Sequence, residues 1–378
     1  MTRRDWLSGA GRLLIGQDLV GGVGLSAQAM ARSAKVPNAH VRLALNENAF
    51  GCSPLAVEAI RRGLTDLARY TESDAQLLTA QIAAKEGVLP EQIVIGEVLP
   101  ALGVQLGLSG GPGGEFIYSK PGFTDLVLSA EQTGGTAVAV ELDERLQNDL
   151  AAIKSRVGAN TRAVFLVNPH NPSGTVSENN ALRSFVSDVA RRTLVIVDEA
   201  YLEFTDEFAQ RSLVDRVRAG ENVVVFRTFA KIYGLAALQL GYAIVPTALA
   251  STLHKQGLGA AHTLNRLAVL AASAALRDTD FLDTTRRKTA HERLRWHAAL
   301  DSLKLRHSDS VGNFVFFESG YPHEILASAF LAEGIDIGRG FPPLDRWARV
   351  SIGLPEENEF AISTLQKILR HGIAAHTA

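Results

Sequence analysis

The sequence predicts an α/β protein built on a mainly parallel sheet flanked by helices, accompanied by a second, smaller α/β domain. Three observations carry that reading: six short β-rich runs without in/out alternation, helical patterns between several of them, and polar groups placed where three of the runs end. Strands covered by helices on both faces are apolar throughout, whereas a strand with one wet face alternates.

The runs are QIVIG (92–96), EFIY (115–118), AVAVEL (137–142), AVFLV (163–167), TLVIV (193–197) and NVVVF (222–226). Between the fourth and fifth, SENNALRSFVSDVARR spaces Leu182, Phe185, Val186 and Val189 at i, i+3, i+4 and i+7, one face of a helix, with Ser177 as the expected amino-terminal cap. NFVFFE (313–318) reads as a strand of the smaller domain, and the glycine- and proline-rich GIDIGRGFPP (334–343) as a lid. The expected division is a large domain at 76–248 and a small one assembled from 35–75 and 249–378.

At 378 residues, with 46% hydrophobic and 21% charged residues, the chain has the composition of a globular enzyme. A net charge of −2 excludes a broad electrostatic footprint for nucleic acid or an anionic membrane, and no run of 18 apolar residues spans a bilayer. The single cysteine, Cys52, excludes an internal disulfide framework and a cysteine-rich metal site. His291 and His297 in HERLRWH are six apart, which fits no metal spacing on a helix, so no metal is expected and both read as exposed. The glycine-rich SGGPGGEF (109–116) lacks the Gly-Lys-Ser/Thr ending of a phosphate loop and reads as a plain loop.

Residues 1–34 stand apart. TRRDWL places paired arginines before a weakly apolar, glycine-rich run, and SAQAMA then supplies small residues suited to cleavage, the order of a twin-arginine export signal. Arg12 and Asp18 interrupt the apolar segment, and a flexible basic arm is the alternative. The first reading predicts a periplasmic protein and the second a cytoplasmic one.

In a doubly wound sheet, ligands gather outside the carboxyl ends of the strands. AVFLV runs into NPHNPSGT, TLVIV into DEAY and NVVVF into RTFAK, so Asn171, Asp198 with Tyr201, and Lys231 converge on one edge. A lysine condenses with an aldehyde, a carboxylate keeps a pyridine nitrogen protonated, and a phenol and an amide bond a ring oxygen. Pyridoxal 5′-phosphate (PLP) presents all of these partners at once. Taken alone, Lys231 reads first as a surface residue whose stem lies on an apolar wall, and only its companions on the edge favour the amine nucleophile.

LNENAFGCSP, NPHNPSGT, VDEAYLEF, RTFAKIYGLAALQLGY and RVSIGLPEEN occur in an order and at spacings that resemble the class I/II PLP-dependent aminotransferases, and most closely the histidinol-phosphate aminotransferase family, over about residues 41 to 370. The resemblance implies the PLP-dependent transferase fold (fold type I), a PLP cofactor, and small-molecule substrates: an amino acid, or an amino-alcohol phosphate such as histidinol phosphate, and a 2-oxo acid. It gives Lys231 the covalent link to the cofactor and the proton shuttle, Asp198 the pyridinium nitrogen, and Asn171 and Tyr201 the ring's 3-oxygen. Phe123 in KPGFTD would stack on the ring, with a core phenylalanine as the alternative. Arg349 in RVSIG would grip the substrate's acid group. Asn46 would line the entrance, or serve as an ordinary turn residue, and Arg339 would meet an anionic substrate group, or be a solvated loop arginine. Asn313 lies near the site by resemblance only. Tyr70 in ARYTESD would reach a neighbouring subunit's cofactor phosphate, which implies a homodimer.

The phosphate cup departs from the family pattern. The arginine usual eight residues after the lysine is Gln239, and the small hydroxyl residue before the lysine is Ala230. The phosphate turn reads GEVLPA (96–101), where Leu99 carries an amide and Pro100 none. Thr228 and Gln239 remain as uncharged donors. Weak PLP retention is expected, and other PLP chemistry (decarboxylase, lyase or oxidase) or a non-catalytic relative stands as the alternative function.

Overall fold

The computed structural model describes residues 41–372. The twin-arginine reading, with the export it implies, falls on residues outside the described ones.

Among the described residues there are eleven strands: β1 Val41–Leu43, β2 Ile93–Gly96, β3 Glu115–Lys120, β4 Thr136–Glu141, β5 Thr161–Val167, β6 Leu194–Asp198, β7 Val223–Thr228, β8 Gly241–Ile244, β9 Phe314–Glu318, β10 Ile335–Ile337 and β11 Trp347–Ser351. Seven form one sheet in the order β2-β8-β7-β6-β5-β3-β4. β3 through β7 are parallel to one another, and β8 is antiparallel to both β2 and β7. All six expected runs are in this sheet. The seventh strand, β8, has only the four residues GYAI and no long apolar run to announce it.

The sheet is apolar through both faces because helices cover both. Val195, Val197, Val223 and Val225 look into one core cluster, while Leu194, Ile196 and Val224 look into the other. Consecutive residues of one strand serve opposite layers, which is the period-2 consequence of the pleat. The helix Asn179–Ala190 buries Leu182, Phe185, Val186 and Val189 as their spacing predicts. Its cap is Glu178, whose carboxylate accepts from the Asn180 and Ala181 amides, one residue later than the expected Ser177. The first helical amides are thus taken by the Glu178 carboxylate, while the Ser177 amide donates to Asn168 Oδ1 at 2.9 Å in the preceding loop.

Two small sheets complete the fold. β9 pairs antiparallel with β11, bringing Arg349 level with Phe316, and β1 pairs parallel with β10. A third core cluster lies around them, drawn from Leu43, Trp296 and residues of 300–368. The segments Ala250–Leu253 and Ala268–Ala275 pack instead into the two cores of the large sheet.

One charged network is fully buried behind the functional edge. Arg227 on β7 is 1% exposed; its guanidinium donates to Glu199 at 2.9 and 3.2 Å, to Glu86 at 2.7 Å and to Ser212 at 2.7 Å. The Tyr242 hydroxyl on β8 donates to Glu86 at 2.9 Å, and the Phe208 ring lies over the guanidinium, 4.4 Å from its centroid. Burial pushes the Glu199 carboxyl up, and Arg227 opposes that shift.

Removing the cation leaves buried acids without a partner. Arg227→Met is expected to lower the unfolding free energy at neutral pH by about 3–5 kcal/mol. Without the guanidinium, Glu199 binds its proton still more tightly in the folded state than in the unfolded one, so this deficit shrinks as pH falls and grows as pH rises. Urea unfolding at two pH values checks both the size and the sign.

Candidate active site

The carboxyl edge of the large sheet assembles the site. Across it, Val167 of β5, Asp198 of β6 and Phe226 of β7 stand in register, and one step further Thr228 of β7, Gly241 of β8 and Gly96 of β2 stand level. Asn171, Tyr201 and Lys231 lie in the loops that leave β5, β6 and β7.

Asp198 is 3% exposed, and its Oδ1 accepts from the Ala200 amide at 3.0 Å. Burial pushes its carboxyl up to about 7; the Ala200 amide and Lys231 oppose the shift, and Asp125 and Glu199 add to it. A buried acid in this condition is what a protonated ring nitrogen satisfies, since a cation in contact lowers a carboxyl pKa.

Lys231 is half-buried, with Ile232 and Tyr233 beside it carrying the burial that its apolar neighbourhood promised. Its Nζ donates to the Leu45 carbonyl at 3.2 Å and lies 5.8 Å from the centroid of the Tyr201 ring. The loop is fixed from below by Phe229 N to Leu240 O at 3.0 Å and from the side by Asn48 Nδ2 to Ile232 O at 2.8 Å. Gly234 closes it with φ +71°, where an added Cβ would come within 2.0 Å of the Gly51 carbonyl oxygen.

A chain of hydrogen bonds then crosses the site. Asn46 Nδ2 donates to the Tyr201 hydroxyl at 3.1 Å, Asn171 Nδ2 reaches the same hydroxyl at 3.5 Å, and Asn171 Oδ1 accepts from Arg349 Nη1 at 2.6 Å. Arg349 Nη2 donates to the Ala44 carbonyl at 2.7 Å, while its buried Nε has no partner. Burial pulls its guanidinium down to about 10, with Tyr201 opposing and Arg339 contributing. Arg349 lies over Phe314 and Phe341, and Arg339 stacks on the same Phe341 ring at 4.5 Å. Arg349 therefore keeps a buried N–H donor with no protein acceptor.

Asn46, expected at the substrate entrance, is 1% exposed with φ 54°. Its amide donates to Ser351 Oγ, and Ser351 Oγ donates back to Asn46 Oδ1, so its bonds orient Tyr201 and tie β1 to β11. Asn313 supports it, donating to the Asn46 and Glu47 carbonyls. Phe123 is half-buried and packs against the second core cluster. Thr228 Oγ1 accepts from the Ala230 amide at 3.0 Å. Leu99 is buried and Pro100 half-buried at the start of the helix Val98–Leu108, and Gln239 is exposed in a left-handed conformation. Tyr70 is 80% exposed, outside the hydrogen-bond chain of the site. His297 is half-buried rather than exposed, stacked on His307 at 4.7 Å. Sequence reasoning did not single out Ser351, Phe314 or Phe341; all three lie in motifs that were noticed, but their contacts run between segments far apart in the chain.

The residues fit the ring and aldehyde ends of PLP: a buried acid without a cation in contact, a phenol and an amide converging near it, and an accessible amine on the same edge. At the phosphate end they supply backbone and uncharged donors.

Asp198 in the cofactor-free protein holds its proton more tightly folded than unfolded. Its contribution to stability is therefore full below about 3.8 and is lost as pH rises through about 7. Asp198→Asn is expected to flatten the fall of Tm over that range in the cofactor-free chain, measured by calorimetry; an unaltered slope would assign the dependence to another group.

Comparison with known proteins agrees with this geometry. The profile of the family Aminotransferase class I and II matches residues 39–365. A histidinol-phosphate aminotransferase of Limosilactobacillus fermentum is 35% identical over 321 residues, 84% of this chain and 87% of that protein, and one of Akkermansia muciniphila is 36% identical over 341 residues, 88% and 91%. Among solved structures, a putative histidinol-phosphate aminotransferase from Erwinia carotovora atroseptica superposes with a TM-score of 0.82 at 28% identity, covering 88% of this chain and 97% of that one. The histidinol-phosphate aminotransferase from Sinorhizobium meliloti, solved in complex with pyridoxal-5′-phosphate, gives a TM-score of 0.79 at 27% identity, covering 93% and 96%. The sheet order, the site at its carboxyl edge and these matches lead to one conclusion: the chain has the PLP-dependent transferase fold (fold type I) and belongs to the class I and II aminotransferases.

Proposed function

We propose that this aminotransferase moves an amino group from an amino acid, or from an amino-alcohol phosphate such as histidinol phosphate, to a 2-oxo acid, with Lys231 as its catalytic amine. The observation that carries the reading is the buried Asp198 carboxyl facing the same edge as Lys231. When bound, PLP supplies an aldehyde that captures amines and a ring that accepts electrons.

The chain's own residues then have separate tasks. Lys231 would supply the amine that links to the aldehyde and then carries a proton to and from the donor's α-carbon. Asp198 would hold the ring nitrogen protonated through a charge-assisted bond, and Asn171 and Tyr201 would donate to the ring's oxygen. Phe123 would stack on the ring. Arg349 receives the donor's carboxylate or phosphate, trading its bonds to Asn171 and Ala44 for a two-pronged grip. Arg339, paired with Arg349 across Phe341, suits a second anionic group on the substrate.

A homodimer completes the reading, with Tyr70 reaching the cofactor phosphate of a second subunit. Leu55, Leu64, Leu67, Tyr70 and Leu77, all about half exposed or more, give that region an apolar surface suited to a second copy.

Lys231→Ala is expected to abolish the visible imine absorbance on PLP addition and to reduce amino transfer to 2-oxoglutarate by at least about a hundredfold, the range of a lost general acid–base group. Release of ammonia or carbon dioxide by the wild-type protein, in place of stoichiometric amino transfer, would sink the transaminase assignment. For the dimer, sedimentation should give twice the chain mass, and Tyr70→Phe should weaken PLP binding by about tenfold, the worth of one hydrogen bond to a charged group; a monomer that binds PLP unaffected by the substitution removes the shared site.

A further inference from the structure

The two ends of the functional edge are unequally equipped. At the ring end stand Asp198, Tyr201, Asn171 and Lys231. At the other end β2 stops at Gly96, level with Gly241 and Thr228, and the helix Val98–Leu108 begins at once. A helix start attracts anions through its free amides and its partial positive charge. Here Val98 and Leu99 carry amides in the first turn, but Pro100 has none.

The residue that caps this helix start is Glu97. It is exposed, and its carboxylate makes no capping hydrogen bond, so its charge is not spent on the helix. A cavity of about 380 Å³ opens at the same place, lined by Gly96, Glu97, Gln239, Gly259, Thr263 and Asn265 together with apolar side chains. None of its lining residues is a lysine, arginine or histidine. Gln239 brings an uncharged amide from a residue in the left-handed conformation. Burial pushes the Asp125 carboxyl up, with Arg339 opposing the shift and Glu97 adding to it, so Glu97 lies within electrostatic reach of a second acid.

We infer that this chain holds its coenzyme by the ring and aldehyde ends and only weakly by the phosphate, so that the amine form of the coenzyme leaves the protein between half-reactions. The inference rests on the PLP reading of the site. Without a covalent link from Lys231, the amine form would be kept by Asp198, Asn171, Tyr201 and Phe123 at the ring and by the cup at the phosphate. A cup with Glu97 in it opposes the phosphate that other donors attract. Glu97 and Gln239 are thereby the residues that set coenzyme retention.

The test measures binding. The full chain, dialysed free of coenzyme, is titrated by calorimetry with pyridoxamine 5′-phosphate and with pyridoxamine, and the ratio of the two dissociation constants isolates the phosphate. The wild-type protein is expected to prefer the phosphorylated amine by no more than about tenfold, and Gln239→Arg and Glu97→Ser should each widen that preference by about tenfold to a hundredfold while leaving pyridoxamine nearly unmoved. A wild-type preference beyond about a thousandfold, or a ratio that neither substitution alters, overturns the inference. PLP added in parallel separates the two layers of argument. If the visible imine band forms at Lys231 while the preference is large, only the weak-cup inference fails; if no imine forms at saturating PLP, the site reading fails and takes the inference with it.

Discussion

Everything at the functional edge depends on the pleat sending two neighbouring acids to opposite sides. Asp198 goes to the site and stays without a cation in contact, while Glu199 goes behind the sheet to Arg227. The same alternation on β7 sends Arg227 backward and leaves Thr228 at the edge. The buried guanidinium thus does double service. It keeps Glu199 and Glu86 from being orphaned, and it fixes the depth at which β6, β7 and the start of the Lys231 loop end. A one-residue slip of β6 against β7 would exchange the two acids, stranding a charge in the interior and losing the ring partner together.

The large sheet was legible in the sequence because burial on both faces writes itself as uninterrupted apolar runs. β8 was not legible, since the four residues GYAI are too few to carry a period. The cap of the helix Asn179–Ala190 is Glu178 rather than Ser177 because the glutamate's longer carboxylate reaches the Asn180 and Ala181 amides. In the small sheets the strand at 313–318 was foreseen, while its pairing with β11 is a contact between segments some thirty residues apart that only the folded chain reveals.

The site divides in the same way. Lys231, Asp198, Tyr201 and Asn171 announced themselves by standing just past strand ends, where an α/β sheet collects chemistry. Arg349 was legible only by resemblance, because its partners Asn171 and Ala44 come from 178 and 305 residues away. Asn46 changed character for a related reason: read locally it is a turn asparagine or an entrance residue, and in the fold it is the strut between Ser351 and the Tyr201 hydroxyl. The charge of Glu97 was visible throughout, but its meaning required the cavity it faces.

The β7–β8 ladder has a further consequence for Lys231. Thr228 pairs with Gly241, and Phe229 bonds Leu240, so the twelve residues that carry the lysine are cinched at their base by the sheet itself. Most of the chain entropy of placing that amine is therefore surrendered during folding rather than on ligand arrival. The nucleophile waits on a stem already knotted shut, and the flexibility left to it is that of its own four methylenes.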